Sequence, residues 1–211
     1  AGYPLIDVYL TGKELKLAAE VDASVSDFMT TARLYCSGLN FTFNPHRMIL
    51  NKVTDCYLTR EDGERIEIQD DQLYRVVTDL YTGQMLGSVM EMSYGLLKIE
   101  PKDKDGNPIE NLENQAIMEG DKELKAWDAI ARYMKSFDDT DGNGISNVPE
   151  YYETTHGRKV VDESRNVIDL VKNPNKFSVM IVGIVLVLIL IIILLVVLIR
   201  KLIKKRRRKK K

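Results

Sequence analysis

The sequence predicts an α+β fold, a mixed sheet with packed helices, followed by a calcium loop and one transmembrane helix. Three observations predict it. Short β-rich runs and helical runs interleave over residues 1–138, an Asp/Asn/Gly loop spans 139–150, and a 23-residue apolar run spans 177–199. Residues 151–176 show little periodicity and read as a tether, and 200–211 form a basic cytoplasmic tail.

Within 1–138 the elements follow from local chemistry. Residues 4–10 are a short β run. Thr11, Gly12, Lys13 and Glu14 fit a capping box, with the Thr11 hydroxyl accepting one orphan amide and Glu14 reaching back for another, so a helix covers 13–21. Extended runs at 32–43 and 48–58, separated by Asn44-Pro45-His46-Arg47, should form a hairpin. Asp62-Gly63 turns the chain before the strand 65–68, and Tyr74-RVVTDLY has the β-branched content of a central strand. A further strand at 95–101 meets a turn at Asp105-Gly-Asn-Pro. Leu124, Trp127, Ile130, Met134 and Phe137 recur at spacings of three and four, which predicts a helix over 121–137 with Trp127 as a core anchor.

Charge is divided along the chain. The 211 residues hold 30 Lys+Arg against 31 Asp+Glu, a net charge of −1, yet the tail 200–211 alone carries +10 and leaves −11 for the rest. Between them, in 177–199, only Ser178 and Gly183 are not strongly apolar. As a helix this run is roughly 34 Å long, enough to cross a ~30 Å hydrocarbon layer. Its outer flank carries only Lys172 and Lys176, so the positive-inside rule puts the tail in the cytoplasm and residues 1–176 outside it. A lipid-anchor signal would end in its apolar stretch, and no LPxTG-like pentapeptide stands in Val171-KNPNKFS. The chain therefore reads as retained in the membrane, its tail attracted to anionic membrane lipid. No aromatic interrupts the basic run, which argues against nucleic acid as a partner. The chain opens on Ala1-GYPLIDVYL with neither Met nor export signal, as expected for the back part of a longer exported protein.

Residues 139–150, DTDGNGISNVPE, match the D-x-[DN]-x-[DN]-G-x5-E calcium loop without a mismatch. A Ca²⁺ ion takes six to eight oxygens, and alternate side chains of a tight loop supply them. Asp139, Asp141 and Asn143 stand at positions 1, 3 and 5, and Ile145 offers a backbone carbonyl. Asn147 acts directly or through water, and Glu150 closes the site with both oxygens. Ser146 replaces the usual apolar residue, and Pro149 lets an exit helix begin only at Glu150, so the loop is solitary rather than half of an EF-hand pair. An acidic turn without metal is the plain alternative.

Catalytic motifs are missing. The chain has two histidines, His46 and His156, in unrelated segments, and no HExxH, GxSxG, GxxxxGK[ST] or CxxC. Cys36 and Cys56 lie on the two arms of the expected hairpin; a disulfide and two small buried side chains are both open. Asn40-Phe-Thr fits a glycosylation sequon but falls inside a β run, which makes it a coincidence of spelling.

Taken in order, Tyr3-PLIDVYLTGKEL, Cys36-SGLNFTF and Tyr74-RVVTDLY resemble the C-terminal domain of the bacterial 5′-nucleotidase family, over about residues 3–135. The resemblance implies a calcineurin-like metallophosphatase domain upstream, with a divalent metal pair that hydrolyses nucleotide phosphoesters, while this domain holds the nucleoside. The family's GGxR segment would precede Ala1. Its base-stacking aromatic would fall near Arg33, and its GGDGF stands here as Met85-LGSV, so no substrate-binding residue is carried over. The nearby Tyr35 and Tyr81 read as strand packing. Two functions follow: the membrane-anchored, extracytoplasmic substrate-binding part of a 5′-nucleotidase-like phosphoesterase acting on a nucleotide or related phosphoester, or a non-enzymatic, calcium-stabilised surface binding module.

Overall fold

The structure, a computed structural model, describes residues 2–26, 28–29, 33–93 and 97–209. The elements in chain order are β1 Leu5–Thr11, α1 Gly12–Val25, β2 Leu39–Phe43, β3 Val53–Thr59, β4 Arg65–Glu67, β5 Leu73–Asp79 and α2 Leu80–Met92. After them come β6 Met118–Glu119, β7 Lys122–Glu123, α3 Ala126–Lys135, β8 Lys159–Val161, α4 Val167–Val171 and α5 Lys176–Lys209.

Two layers of strand enclose α1. In the first, β1 runs antiparallel to β5, from Leu5 opposite Asp79 to Thr11 opposite Leu73. Its other edge makes isolated bridges from Tyr9 to Lys102, Ile6 to Ala116 and Pro4 to Lys125. β1 is thus the central strand, and β5, expected in the centre, pairs among the described residues with β1 alone. Alternation along β1 buries Ile6, Val8 and Leu10. Of the expected strand at 95–101, the described residues 97–101 form no ladder, and the chain meets β1 at the Lys102 bridge just beyond them; Leu97 and Ile99 are buried, and Gly95 and Leu96 lie outside the described residues.

The second sheet has the order β4-β3-β2-β8. Its β2–β3 hairpin is the expected one, shorter than 32–43 and 48–58 because the register shifts between Thr42 and Phe43 and the 44–52 loop closes on its own turns. Ala32, where the first arm was expected to begin, lies outside the described residues.

Helix α1 shows why both layers hold. The capping box is formed, with Thr11 N–H donating to Glu14 Oε2 at 2.8 Å and Glu14 N–H to Thr11 Oγ1 at 3.3 Å. Leu15, Ala18 and Val21 pack with Leu10, Leu97 and Ile99, whereas Ala19 and Ala23 pack on Phe41 of β2. With apolar contacts on two sides, its remaining buried polar groups must find partners. Glu20 accepts the amides of Lys52 and Val53 at 2.7 and 2.8 Å, Ser24 Oγ accepts that of Leu50 at 2.9 Å, and Asp22 accepts that of Leu34 at 2.6 Å.

Other expectations need correction. Tyr74-RVVTDLY does not stay extended to Tyr81: the Asp79 carboxylate accepts from the N–H and hydroxyl of Thr82, and this N-terminal cap starts α2 at Leu80. The expected helix 121–137 is only Ala126–Lys135, because residues 118–123 form the β6–β7 hairpin around Gly120. Trp127 is not a core anchor. It lies over Gly2 and is 59% exposed, and Ile130 and Met134 are exposed with it.

Residues 151–176 are not a free tether. β8 adds to β2 in parallel, and Arg47 donates to the carbonyls of Asp169 and Lys172, each at 2.6 Å. Asn175 donates its N–H to Asn51 Oδ1 at 3.2 Å and its side chain to the Leu50 carbonyl. α5 follows at once. Phe177 is buried in the cluster of Leu10, Leu15 and Ile99, while the residues from Val179 to Ile203 are exposed or partly so. Among the described residues α5 is the one helix long and apolar enough to cross a membrane.

Candidate functional site

The 139–150 loop follows α3, and its side chains turn inward on its own backbone. Asp139 accepts from the amides of Gly142 and Gly144, both at 2.8 Å, and of Asn143 at 3.2 Å. These donors, Gly144 foremost, hold its carboxyl below the usual range. Gly142 and Gly144 have φ of 73° and 86°, which only glycine adopts freely, so the winding depends on them. Asp141 accepts from the Asn143 side chain at 2.9 Å, Asn143 Oδ1 from Ile145 N–H at 2.8 Å, and Asn147 Oδ1 from Thr140 N–H at 2.7 Å.

The loop thereby brings Asp139, Asp141, Asn143 and Asn147 together. Glu150 opens a 3-10 turn, Glu150–Glu153, and lines a shallow pocket of about 420 Å³ with Phe137, Thr140, Asn147 and Val148. Among the described residues no three His, Cys, Asp or Glu side chains converge closely enough to hold a metal. The oxygen set suits a hard cation in chemistry.

The two histidines are far apart in role. His46 Nε2 accepts from Arg165 Nε at 3.3 Å, and His156 stacks on Tyr151 with ring centroids 3.8 Å apart. Nor do the cysteines face each other. Cys56 pairs with Phe41, Cys36 precedes Gly38 outside the ladder, and both thiols are free and partly buried. The Asn40 side chain is bound to Thr59 Oγ1 at 2.6 Å, inside the sheet.

Near the position where the resemblance would put a stacking aromatic, Arg33 is exposed and Tyr35 is 88% exposed, with Lys159 Nζ 5.5 Å from its ring centroid. Tyr81 packs against Tyr3, centroids 5.5 Å apart, and Met85-LGSV is helical within α2. Tyr35 therefore stands outside strand packing, which the β-rich run did not reveal.

Comparison with known proteins explains the first half of the chain. Residues 2–93 match the family model described as 5′-nucleotidase, C-terminal domain. This segment is a 5′-nucleotidase C-terminal domain. Its fold is similar to the crystal structure of the 5′-nucleotidase precursor from Thermus thermophilus, with 18% identity and a TM-score of 0.50 over 77% of this chain and 26% of that one. The NAD nucleotidase of Haemophilus influenzae aligns over 48% of this chain and 19% of its own at 20% identity, with a TM-score of 0.35. No curated protein matches. The chain thus spans about a quarter of the length of the Thermus protein. In the 5′-nucleotidase C-terminal domain described here, the Thr11-Gly12 corner explains itself: a Cβ on Gly12 would stand 2.0 Å from the Gln69 carbonyl oxygen.

Proposed function

We propose that this chain is the membrane-anchored, extracytoplasmic substrate side of a 5′-nucleotidase-like metallophosphoesterase acting on a nucleotide or related phosphoester. The observation that carries the reading is the family match over residues 2–93 on a fold that agrees with it. The divalent metal pair belongs to a catalytic domain upstream, and α5 with its basic tail is the anchor, oriented by the positive-inside rule. Titrating adenosine and AMP into the isotope-labelled chain in lipid nanodiscs tests the ligand role. Amide shifts clustered in residues 2–93 support it; none at millimolar ligand removes it.

The second reading, a calcium-stabilised surface module, is favoured by the wound loop at 139–150. We propose that Asp139, Asp141, Asn143, the Ile145 carbonyl, Asn147 and Glu150 bind Ca²⁺, with the weak affinity of extracellular sites, roughly 10⁻⁴ to 10⁻³ M. Added Ca²⁺ should raise the melting temperature of the chain and should not do so for Asp139→Ala. An unchanged melt in both would remove the site.

A further inference from the structure

The way α5 leaves the domain has a consequence for the surface around it. No linker separates them: Phe177 is 4% exposed and part of the core, and Val179, two residues on, is 61% exposed. Two residues of helix span roughly 3 Å. If α5 crosses a bilayer, the surface surrounding Phe177 must therefore stand at the lipid headgroups.

That surface is built unlike the rest of the domain. Met29 and Leu50 pack inward against the cluster that holds Phe177, and the residue before each points outward: Phe28 is 82% exposed and Ile49 45%. The amides of Phe28 and Met29 both donate to the Val25 carbonyl at 2.9 Å, which fixes the first corner to the end of α1. The Asn51 amide donates to the Met48 carbonyl at 2.9 Å, and Asn175 ties the second corner to the start of α5. Both non-glycine residues with positive φ among the described residues, Leu50 at 61° and Asn173 at 50°, lie here. A left-handed leucine is held only where its surroundings require it.

Charge distinguishes the same place. Segments 44–52 and 172–178 contain Arg47, Lys52, Lys172 and Lys176 and no carboxylate, in a region, 1–199, whose net charge is −11; Arg47 and Lys52 are buried, and Asp162 and Asp169 line a pocket with Arg47 and Lys172. Lys172 and Lys176 are exposed, with Lys176 Nζ 4.7 Å over the Phe177 ring. Exposed apolar side chains, with two exposed lysines at the root of an apolar helix, are what a phospholipid surface accepts: aromatic and aliphatic tips enter the interfacial layer and ammonium groups meet phosphates.

We propose that the domain docks on the leaflet from which α5 emerges, with Phe28 and Ile49 inserted into the interfacial layer and Lys172 and Lys176 at the headgroup phosphates, so that the 5′-nucleotidase C-terminal domain is held in one orientation on the membrane. The proposal rests on the reading of α5 as an anchor. The test puts the full chain, in a Trp127→Phe background, into nanodiscs of phosphatidylcholine and phosphatidylglycerol with brominated acyl chains. Single tryptophans are introduced by Phe28→Trp, Ile49→Trp, Leu188→Trp and Ile145→Trp, all at exposed positions. Bromine should quench the tryptophans introduced by Phe28→Trp, Ile49→Trp and Leu188→Trp, and leave Ile145→Trp unquenched. Quenching for Leu188→Trp with none for Phe28→Trp and Ile49→Trp keeps the anchor and overturns the docking. No quenching for Leu188→Trp overturns the anchor, and the docking with it. Blue-shifted but unquenched emission from Phe28→Trp and Ile49→Trp means that protein, a second copy of this chain included, covers the patch, and overturns the proposal.

Discussion

The ammonium of Lys159 on β8 lies 2.9 Å from the carboxylate of Asp22 on α1, joining positions 137 residues apart. The Asp22 side chain is only 5% exposed and that of Lys159 29%, so the pair is shielded from water on the aspartate side. Removing Lys159 leaves a buried carboxylate with the Leu34 amide as its remaining named donor. Lys159→Ala should cost about 2–3 kcal/mol. Asp22→Asn with Lys159→Ala should cost less than the sum of the two single changes in urea unfolding; strict additivity would mean that the pair contributes nothing.

Glu20 is buried on α1, and burial pushes its carboxyl above the ordinary value of 4.5 despite its bonds to Ser24 and the amides of Val53 and Lys52. The folded state therefore holds its proton more tightly than the unfolded chain. Its contribution to stability is fully present below pH 4.5 and is lost as pH rises through the raised value. Wild type minus Glu20→Gln, measured by unfolding from pH 4 upward, should fall with pH in that window. A flat or rising difference would show that the carboxyl is not raised.

Three glycines give a graded test of packing. A Cβ on Gly12 would also meet Ile68 Cγ2 at 2.6 Å besides the rigid Gln69 carbonyl, so Gly12→Ala should cost about 3 kcal/mol. At Gly83 the nearest atom is the flexible Ile6 Cδ1 at 2.6 Å, and Gly83→Ala should cost about 1 kcal/mol. Gly87 in α2 faces nothing within 4 Å, and Gly87→Ala should gain about 0.5–1 kcal/mol from helix propensity. Thermal melts that reverse this order would refute the α1 corner and the α2 helix together.

The thiols should resist modification. Burial pushes Cys56 up to about 12 and Cys36 upward as well, so neither is a thiolate at pH 8. Iodoacetamide at pH 8 should label both slowly in the folded chain and quickly in urea. An intact mass two hydrogens short of the reduced chain would contradict the free thiols.

What could be read along the chain was local. Thr11 and Glu14 lie three residues apart and cap each other whatever the rest of the fold does. Asp79 and Thr82, also three residues apart, cap α2 in the same local way at the end of a β-branched run. The spacing of Trp127, Ile130 and Met134 correctly marks a helix, but spacing states only that the apolar residues share a face, not that anything covers it; here they stay exposed. At the loop, the sequence order of Asp139, Asp141 and Asn143 matched their convergence, since each bond spans a few residues.

By itself the sequence determined the capped first helix, the turns at Gly63 and Gly106, the apolar length of α5 and the opposite charges at its two sides, because these depend on neighbours in the chain. Only the tertiary structure decided that Lys159 to Val161 would join β2, that Arg47 would bind the carbonyls of Asp169 and Lys172, and that Phe177 would close the core. Those contacts join residues far apart in the chain. Their formation depends on the shape that α1 and the two sheets leave open, which no local pattern of polarity encodes.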